Sequence, residues 1–249
     1  MPRYPQQPTI QLGPGPVTPA VKVLLVANVA MFVGALLVPA LVSPLALTPS
    51  EVVRHFAIWQ LVTYLFLHAG IFHILFNMLT LWMFGVELER MWGTPFFTRY
   101  YFVTGIGAGV VTVAASLLPF AATSAMFDAM TMGASGAIYG LLLAYGLYFP
   151  NRPIYLYFLF QVPAKYFVMI IGAISLISSL NESGGNLAHV AHLGGLVVGY
   201  VYLKARGPRR FSPIAEIRYR YTKWKLGRMR RRFDVHPGGR SDDWNQRIH

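Results

Sequence analysis

Residues 21 to 42, VKVLLVANVAMFVGALLVPALV, carry a single charged side chain, Lys22. A helix needs roughly 20 such residues to cross the hydrocarbon core of a bilayer. The run is too long for the apolar core of a signal peptide and lacks a convincing cleavage site, so it is expected to persist as a membrane helix. Further apolar segments recur at about 71–86, 100–120, 134–149, 165–180 and 188–203. Only 12% of the 249 residues are charged, against about 25% in soluble domains, and mean hydropathy is +0.48. The expected fold class is an all-α, polytopic integral membrane protein with six transmembrane helices.

Lys and Arg favour the cytoplasmic side of a membrane, and their distribution orients the six spans. Arg3 with Lys22, Arg90 with Arg99, Arg152 with Lys165, and the basic tail fall on one side. The other side holds Arg54 and no cation in 121–133 or 181–187. Both termini are therefore expected in the cytoplasm. Residues 1–19 hold six prolines and are expected to form a disordered tail. Residues 20–205 form the membrane domain and 206–249 a second tail. Twelve of the 21 Lys and Arg lie between Lys204 and Arg232. This flank suits contact with anionic lipid headgroups, and the membrane charge rule explains it without nucleic acid. The segment 154–165, IYLYFLFQVPAK, is broken by Pro163 and is expected to be interfacial. Cysteine is absent, which excludes disulfides, a thiol nucleophile and Cys-ligated metal.

Polar side chains inside a bilayer are costly, so each is a functional candidate. With this topology, spans two, four and six all run from outside to inside. His73 and Asn77 then lie near the outer end of span two, Ser135 begins span four, and His192 sits about a turn into span six. Gly136 with Gly140 and Gly195 with Gly199 form GxxxG pairs, which let helix backbones approach closely in lipid. At about 100° per residue, His192 lies within roughly 60° of Gly195 and 20° of Gly199. Spans four and six packed through these glycines bring Ser135 within reach of His192, and an imidazole there can take the serine proton during attack on a carbonyl. None of the nine acids lies within an expected span, so a Ser–His dyad is favoured over a triad. Tyr139 shares the Ser135 face and can hold the imidazole. His73 and Asn77, four residues apart on one face, can donate to a developing oxyanion together with the Ser135 N–H.

These residues resemble the rhomboid intramembrane serine proteases. The likeness rests on GASG (133–136) with Tyr139, on His68, His73 and Asn77 in HAGIFHILFN, and on His192 with HxxGxxxG to Gly199. It covers about residues 55 to 203. It implies Ser135 as nucleophile, His192 as general base and acid, and His73 and Asn77 as oxyanion residues, with Gly133 in support. Tyr139 would stack on the catalytic histidine, and His68 would be structural. Trp59 and Gln60 resemble the family's first-loop Trp-Arg pair, with Gln60 departing from arginine. The implied reaction is hydrolysis of peptide bonds in or near transmembrane segments of single-pass or polytopic membrane proteins, with no cofactor. The site would open toward the outer side, and the compact core suggests a bacterial inner membrane.

His189, one turn before His192, is the rival base, but it lies about 60° further from the glycine stripe; it is expected to line the outer mouth. A metal site built from His68, His73, His189 and His192 lacks an HExxH motif and an intramembrane carboxylate base. A hydrolase nucleophile elbow would need glycine at Ala137 and a preceding strand. The remaining alternative is an inactive scaffold of the same fold that binds transmembrane clients.

Overall fold

The computed structural model describes residues 14–119, 125–156, 160–180, 186–207, 221–222, 224–226 and 228. Two compact units are distinguished, Met1–Pro208 and Arg209–His249. The first is mostly helical. Its long helices are α1 (Pro19–Leu37), α2 (Ile71–Trp92), α3 (Thr94–Ser116), α4 (Ser135–Tyr148), α5 (Ala164–Leu180) and α6 (Asn186–Arg206). Two of them, α1 and α2, are long and apolar enough to cross a membrane by length and composition, with mean hydropathies of 2.2 and 1.6. Short helical turns between residues 39 and 66 link α1 to α2.

The first unit is apolar on its outside, and its mainly apolar core also holds polar side chains. Val23, Val26 and Leu36 of α1, Phe72 and Phe76 of α2, and Met169 and Ile177 of α5 are exposed. Asn28, Asn77, Glu89, Thr104, Thr112 and Ser175 are buried. Such groups need partners inside the fold, and most turn to helix carbonyls. Asn28 Nδ2 donates to Leu24, and the Thr104 and Thr112 hydroxyls donate to Tyr100 and Ala108. Helix α6 packs on α3 and α4, which also pack on each other, and α5 covers α4 and α6. Helix α1 packs against α2 and α3.

The helix boundaries differ from the expectation by up to six residues: α3 spans Thr94–Ser116 rather than 100–120, and α1 and α2 also depart from it. Helix α1 stops at Leu37 rather than running on to 42, because Pro39 fixes its own backbone and disfavours helix at the residue before it. Helix α2 continues past Glu87 and Glu89 to Trp92 and ends at Gly93, whose φ of +78° glycine tolerates. Two acids therefore do lie in a long apolar helix, at its far end from His73, and both are satisfied. Glu87 pairs with Arg152. Glu89 accepts from the Ala20 and Val21 N–H groups at 2.9 and 3.0 Å, from the Thr94 hydroxyl at 2.6 Å, and from the Thr18 hydroxyl. The Thr18 side chain makes no capping bond of its own. Glu89 thus supplies, from another helix, the acceptors that the first turn of α1 lacks.

The segment 154–165, expected at the interface, holds strand structure not anticipated from the sequence. It contains an antiparallel hairpin, β1 (Pro153–Leu156) with β2 (Phe160–Pro163), in register Pro153↔Pro163 and Ile154↔Val162. Among the described residues the fold is therefore mostly helical with a small hairpin, and not wholly α. Pro153 and Pro163 face each other at the open end of the hairpin, where a missing N–H costs least. The expected amino-terminal tail lies mainly outside the described residues. Its last part is held: Arg90 donates to the Pro14 and Pro16 carbonyls. In the second unit, the Tyr221 and Trp224 rings are 6.0 Å apart and the Arg228 guanidinium lies 4.6 Å from the Trp224 ring.

Candidate active site

Ser135 is the first residue of α4, so its N–H belongs to a helix turn whose donors have no intrahelical partner. The approach to it is pinned. Leu47 and Thr131 exchange backbone hydrogen bonds, both 2.9 Å, and the Gly133 N–H donates to the Tyr64 carbonyl at 2.8 Å. The Tyr64 hydroxyl in turn donates to the Gly105 carbonyl of α3 at 2.7 Å. Gly133 has a φ of +129°, and a Cβ there would sit 2.8 Å from His73 Cε1 and Nε2. Glycine at this position is what allows the His73 ring to lie against the backbone two residues before the serine.

Helices α4 and α6 meet through the glycines. A Cβ on Gly195 would overlap the Gly136 carbonyl, and one on Gly199 would lie 3.3 Å from Gly140 Cα. Helix α3 closes the seam from behind: Ala108 approaches Gly136, Thr104 approaches Gly140, and the Tyr100 hydroxyl donates to the Gly140 carbonyl at 2.7 Å. This contact brings His192 Nε2 to 2.9 Å from Ser135 Oγ. The Tyr139 ring lies over the His192 ring with centroids 4.1 Å apart and planes within 6°.

His189 is edge-on to His192 at 5.8 Å, and the serine hydroxyl bonds His192. The Ala69 N–H donates to His73 Nδ1 at 3.3 Å, so in a neutral ring the proton lies on Nε2. That nitrogen and Ser135 Oγ lie 2.8 and 3.7 Å from one point, the place a Gly133 Cβ would take. Asn77 is buried and donates through Nδ2 to the His73 carbonyl at 2.7 Å, leaving its second amide hydrogen available. His68 is buried, with its ring 5.1 Å from that of His73 and steeply inclined to it. Gln60, where the first loop departs from the resembled pattern, is buried and accepts from the Thr48 N–H at 3.0 Å, while the Trp59 indole donates to the Pro44 carbonyl.

No described carboxylate reaches His192. Glu87 and Glu89 are engaged as above, Glu51 pairs with His55, and Asp128 lies 4.0 Å from Arg54. His192 Nδ1 is buried without a hydrogen-bond partner among the described residues. The described residues also contain no group of three or more His, Asp or Glu side chains able to hold a metal. One contact was not anticipated from the sequence: Ser175 Oγ of α5 donates to the Tyr139 hydroxyl at 3.2 Å. A signal existed, since Ser175 is a polar residue inside the apolar run 165–180.

Known proteins resemble this chain over the segment that holds these residues. The chain is 32% identical over 202 residues to RHOMBOID-like protein 1 of Arabidopsis thaliana, an alignment covering 72% of the chain and 46% of that relative. It is 35% identical over 154 residues to rhomboid protease GluP of Bacillus subtilis, covering 60% and 26%. With putative rhomboid protease YdcA of the same bacterium it shares 33% over 148 residues, covering 57% and 64%. The chain thus spans between about a quarter and just under two thirds of the length of these relatives. The family description "Rhomboid domain" matches residues 55–209, which hold the serine, all five histidines discussed above bar none, and the glycine seam. On that match, the chain belongs to the rhomboid family of integral membrane proteins.

Proposed function

We propose that this protein is a serine endopeptidase that cuts other membrane proteins in or near their transmembrane segments. The observation that carries this reading is the 2.9 Å approach of His192 Nε2 to Ser135 Oγ at a helix amino terminus. Likeness to relatives named as rhomboid proteases supports it. With its proton on Nδ1, a neutral His192 offers the Nε2 lone pair to the serine hydroxyl. As Oγ bonds to the scissile carbonyl carbon, its proton passes to Nε2, and the carbonyl π electrons move to oxygen. The Ser135 N–H, His73 Nε2–H and the Asn77 amide are the donors for that oxyanion. Collapse breaks the C–N bond while His192 protonates the leaving nitrogen, and water then releases the acyl group by the same steps in reverse. With no carboxylate at Nδ1 among the described residues, the Tyr139 stack holds the ring and favours the imidazolium that forms.

The six long helices are read as six spans with both termini cytoplasmic. The α4 helix has 14 residues, a length of about 21 Å, against a hydrocarbon core of roughly 30 Å. If its inner end lies at the inner interface, Ser135 sits on the order of 10 Å below the outer surface. A substrate segment entering from lipid must unwind there before attack, because a helical peptide bond is shielded. Small and helix-weakening residues at the cut would meet that need. The basic tail is read as a contact for anionic lipid.

The test uses full-length protein in lipid vesicles with a reporter transmembrane segment. Cleavage by the wild type and loss of at least about a thousandfold in Ser135→Ala and His192→Ala are expected. Equal cleavage by wild type and Ser135→Ala would remove the dyad. Binding without cleavage by the wild type across a broad substrate panel would establish the inactive scaffold instead.

A further inference from the structure

We infer that Ser175, on α5, is a positioning residue for His192 that acts through the Tyr139 hydroxyl. The inference rests on the dyad reading above. Three helices contribute to one line of contacts: Ser175 from α5, Tyr139 from α4 and His192 from α6. Ser175 is 1% exposed, and its Oγ lies 3.2 Å from the Tyr139 hydroxyl. The opposite end of the line is the parallel stack of the Tyr139 and His192 rings, 4.1 Å between centroids.

The hydroxyl is the far tip of the Tyr139 side chain, and a hydrogen bond at the tip controls the tilt of the whole ring. The histidine has no carboxylate partner among the described residues, so the ring over its face, with the edge contact of His189 and the Ser135 bond, limits its rotation. A tilted Tyr139 would let Nε2 swing away from Ser135 Oγ, and hydrogen bonds weaken steeply with misalignment. It would also weaken the attraction between the Tyr139 face and the imidazolium. That attraction develops only as the serine proton is transferred. An interaction of this kind affects turnover more than substrate binding. Ser175 does not touch the reacting atoms, and its whole effect passes through Tyr139.

The experiment compares Ser175→Ala, Tyr139→Phe, the double variant and Ser175→Thr as full-length proteins in lipid vesicles. It reads kcat and KM on a transmembrane reporter and the rate at which a fluorophosphonate labels Ser135. Each single variant is expected to lower kcat and labelling by about two- to tenfold, the worth of one neutral hydrogen bond, with KM unchanged. The double variant should fall no further than the worse single one, because both remove the same bond. Ser175→Thr, which keeps the hydroxyl, should recover activity. Wild-type turnover in Ser175→Ala, or multiplied losses in the double variant, overturns the assignment. Tyr139→Phe breaks the bond from its other end, so it remains decisive if Ser175→Ala does not fold. Ser135→Ala separates the two readings. If it still cleaves, the dyad fails; if it is inert while Ser175→Ala matches the wild type, only the role of Ser175 fails.

Discussion

The seam between α4 and α6 and the clasp around Glu89 both join distant stretches of chain by opposite means. The clasp is polar: one buried carboxylate collects four hydrogen bonds from Thr18, Ala20, Val21 and Thr94. The seam is mainly steric: Gly195 lies against the Gly136 carbonyl and Gly199 against Gly140, with the Tyr100 hydroxyl and Thr104 of α3 packed at its edge. Apolar side chains gain nothing by leaving lipid for one another, so helices there associate through close packing and hydrogen bonds. The clasp adds stability through bonds that do not depend on the reaction. The seam sets the Ser135–His192 distance, on which the proposed proton transfer depends to within a few tenths of an ångström. Variants of the two regions should therefore separate folding from turnover.

The largest effect is expected at the seam. Gly195→Ala puts a methyl group into the Gly136 carbonyl, and backbone cannot swing aside as a side chain can. Stability should fall by more than about 3 kcal/mol, with cleavage lost, as read by thermal unfolding and reporter cleavage in vesicles. A folded, active Gly195→Ala would break the comparison, because the seam would then not fix the site. Gly133→Ala is the finer probe. It forces a positive φ on alanine, costing roughly 1–3 kcal/mol, and drives His73 from its place. Cleavage should fall at least about a hundredfold while the protein stays folded, and full activity would remove His73 from the oxyanion site.

At the clasp the order reverses. Glu89→Gln keeps the shape but removes one acceptor oxygen, leaving donors at the start of α1 with a poorer partner. A loss of about 1–3 kcal/mol is expected, with kcat of the folded fraction unchanged. A drop in kcat at unchanged stability would show that the clasp reaches the site.

The long helices could be read from the sequence because apolar runs of this length permit few alternatives. The seam could be read too, since the GxxxG spacing, His192 and Ser135 lie on defined helix faces. Local pattern could not reveal which partners rescue a polar residue. Glu87 and Glu89 looked like the end of span two, yet α2 runs past them because Arg152 and the first turn of α1 satisfy both. The hairpin at 153–163 was hidden for a related reason, since an apolar aromatic stretch suits a strand as well as an interface. Ser175 was visible as a polar residue in an apolar run, but only the packing of α5 on α4 shows that it meets Tyr139.

The smallest effect separates a charge at the helix end from a charge in the clasp. Arg152 pairs with Glu87, and their side chains are 48% and 21% exposed, so water screens the pair and competes for both groups. Arg152 also lies 5.3 Å from the Phe149 ring, and the Tyr145 hydroxyl is 3.4 Å from Glu87, so the carboxylate keeps a neighbour when the cation is removed. Arg152→Gln should therefore cost no more than about 1 kcal/mol, a cost that shrinks as salt is added, with kcat unchanged. Thermal unfolding in vesicles at low and high salt measures it. A loss as large as that of Glu89→Gln would mean that this end of α2 works as one polar network, and that the clasp extends from α1 through α2 to the hairpin.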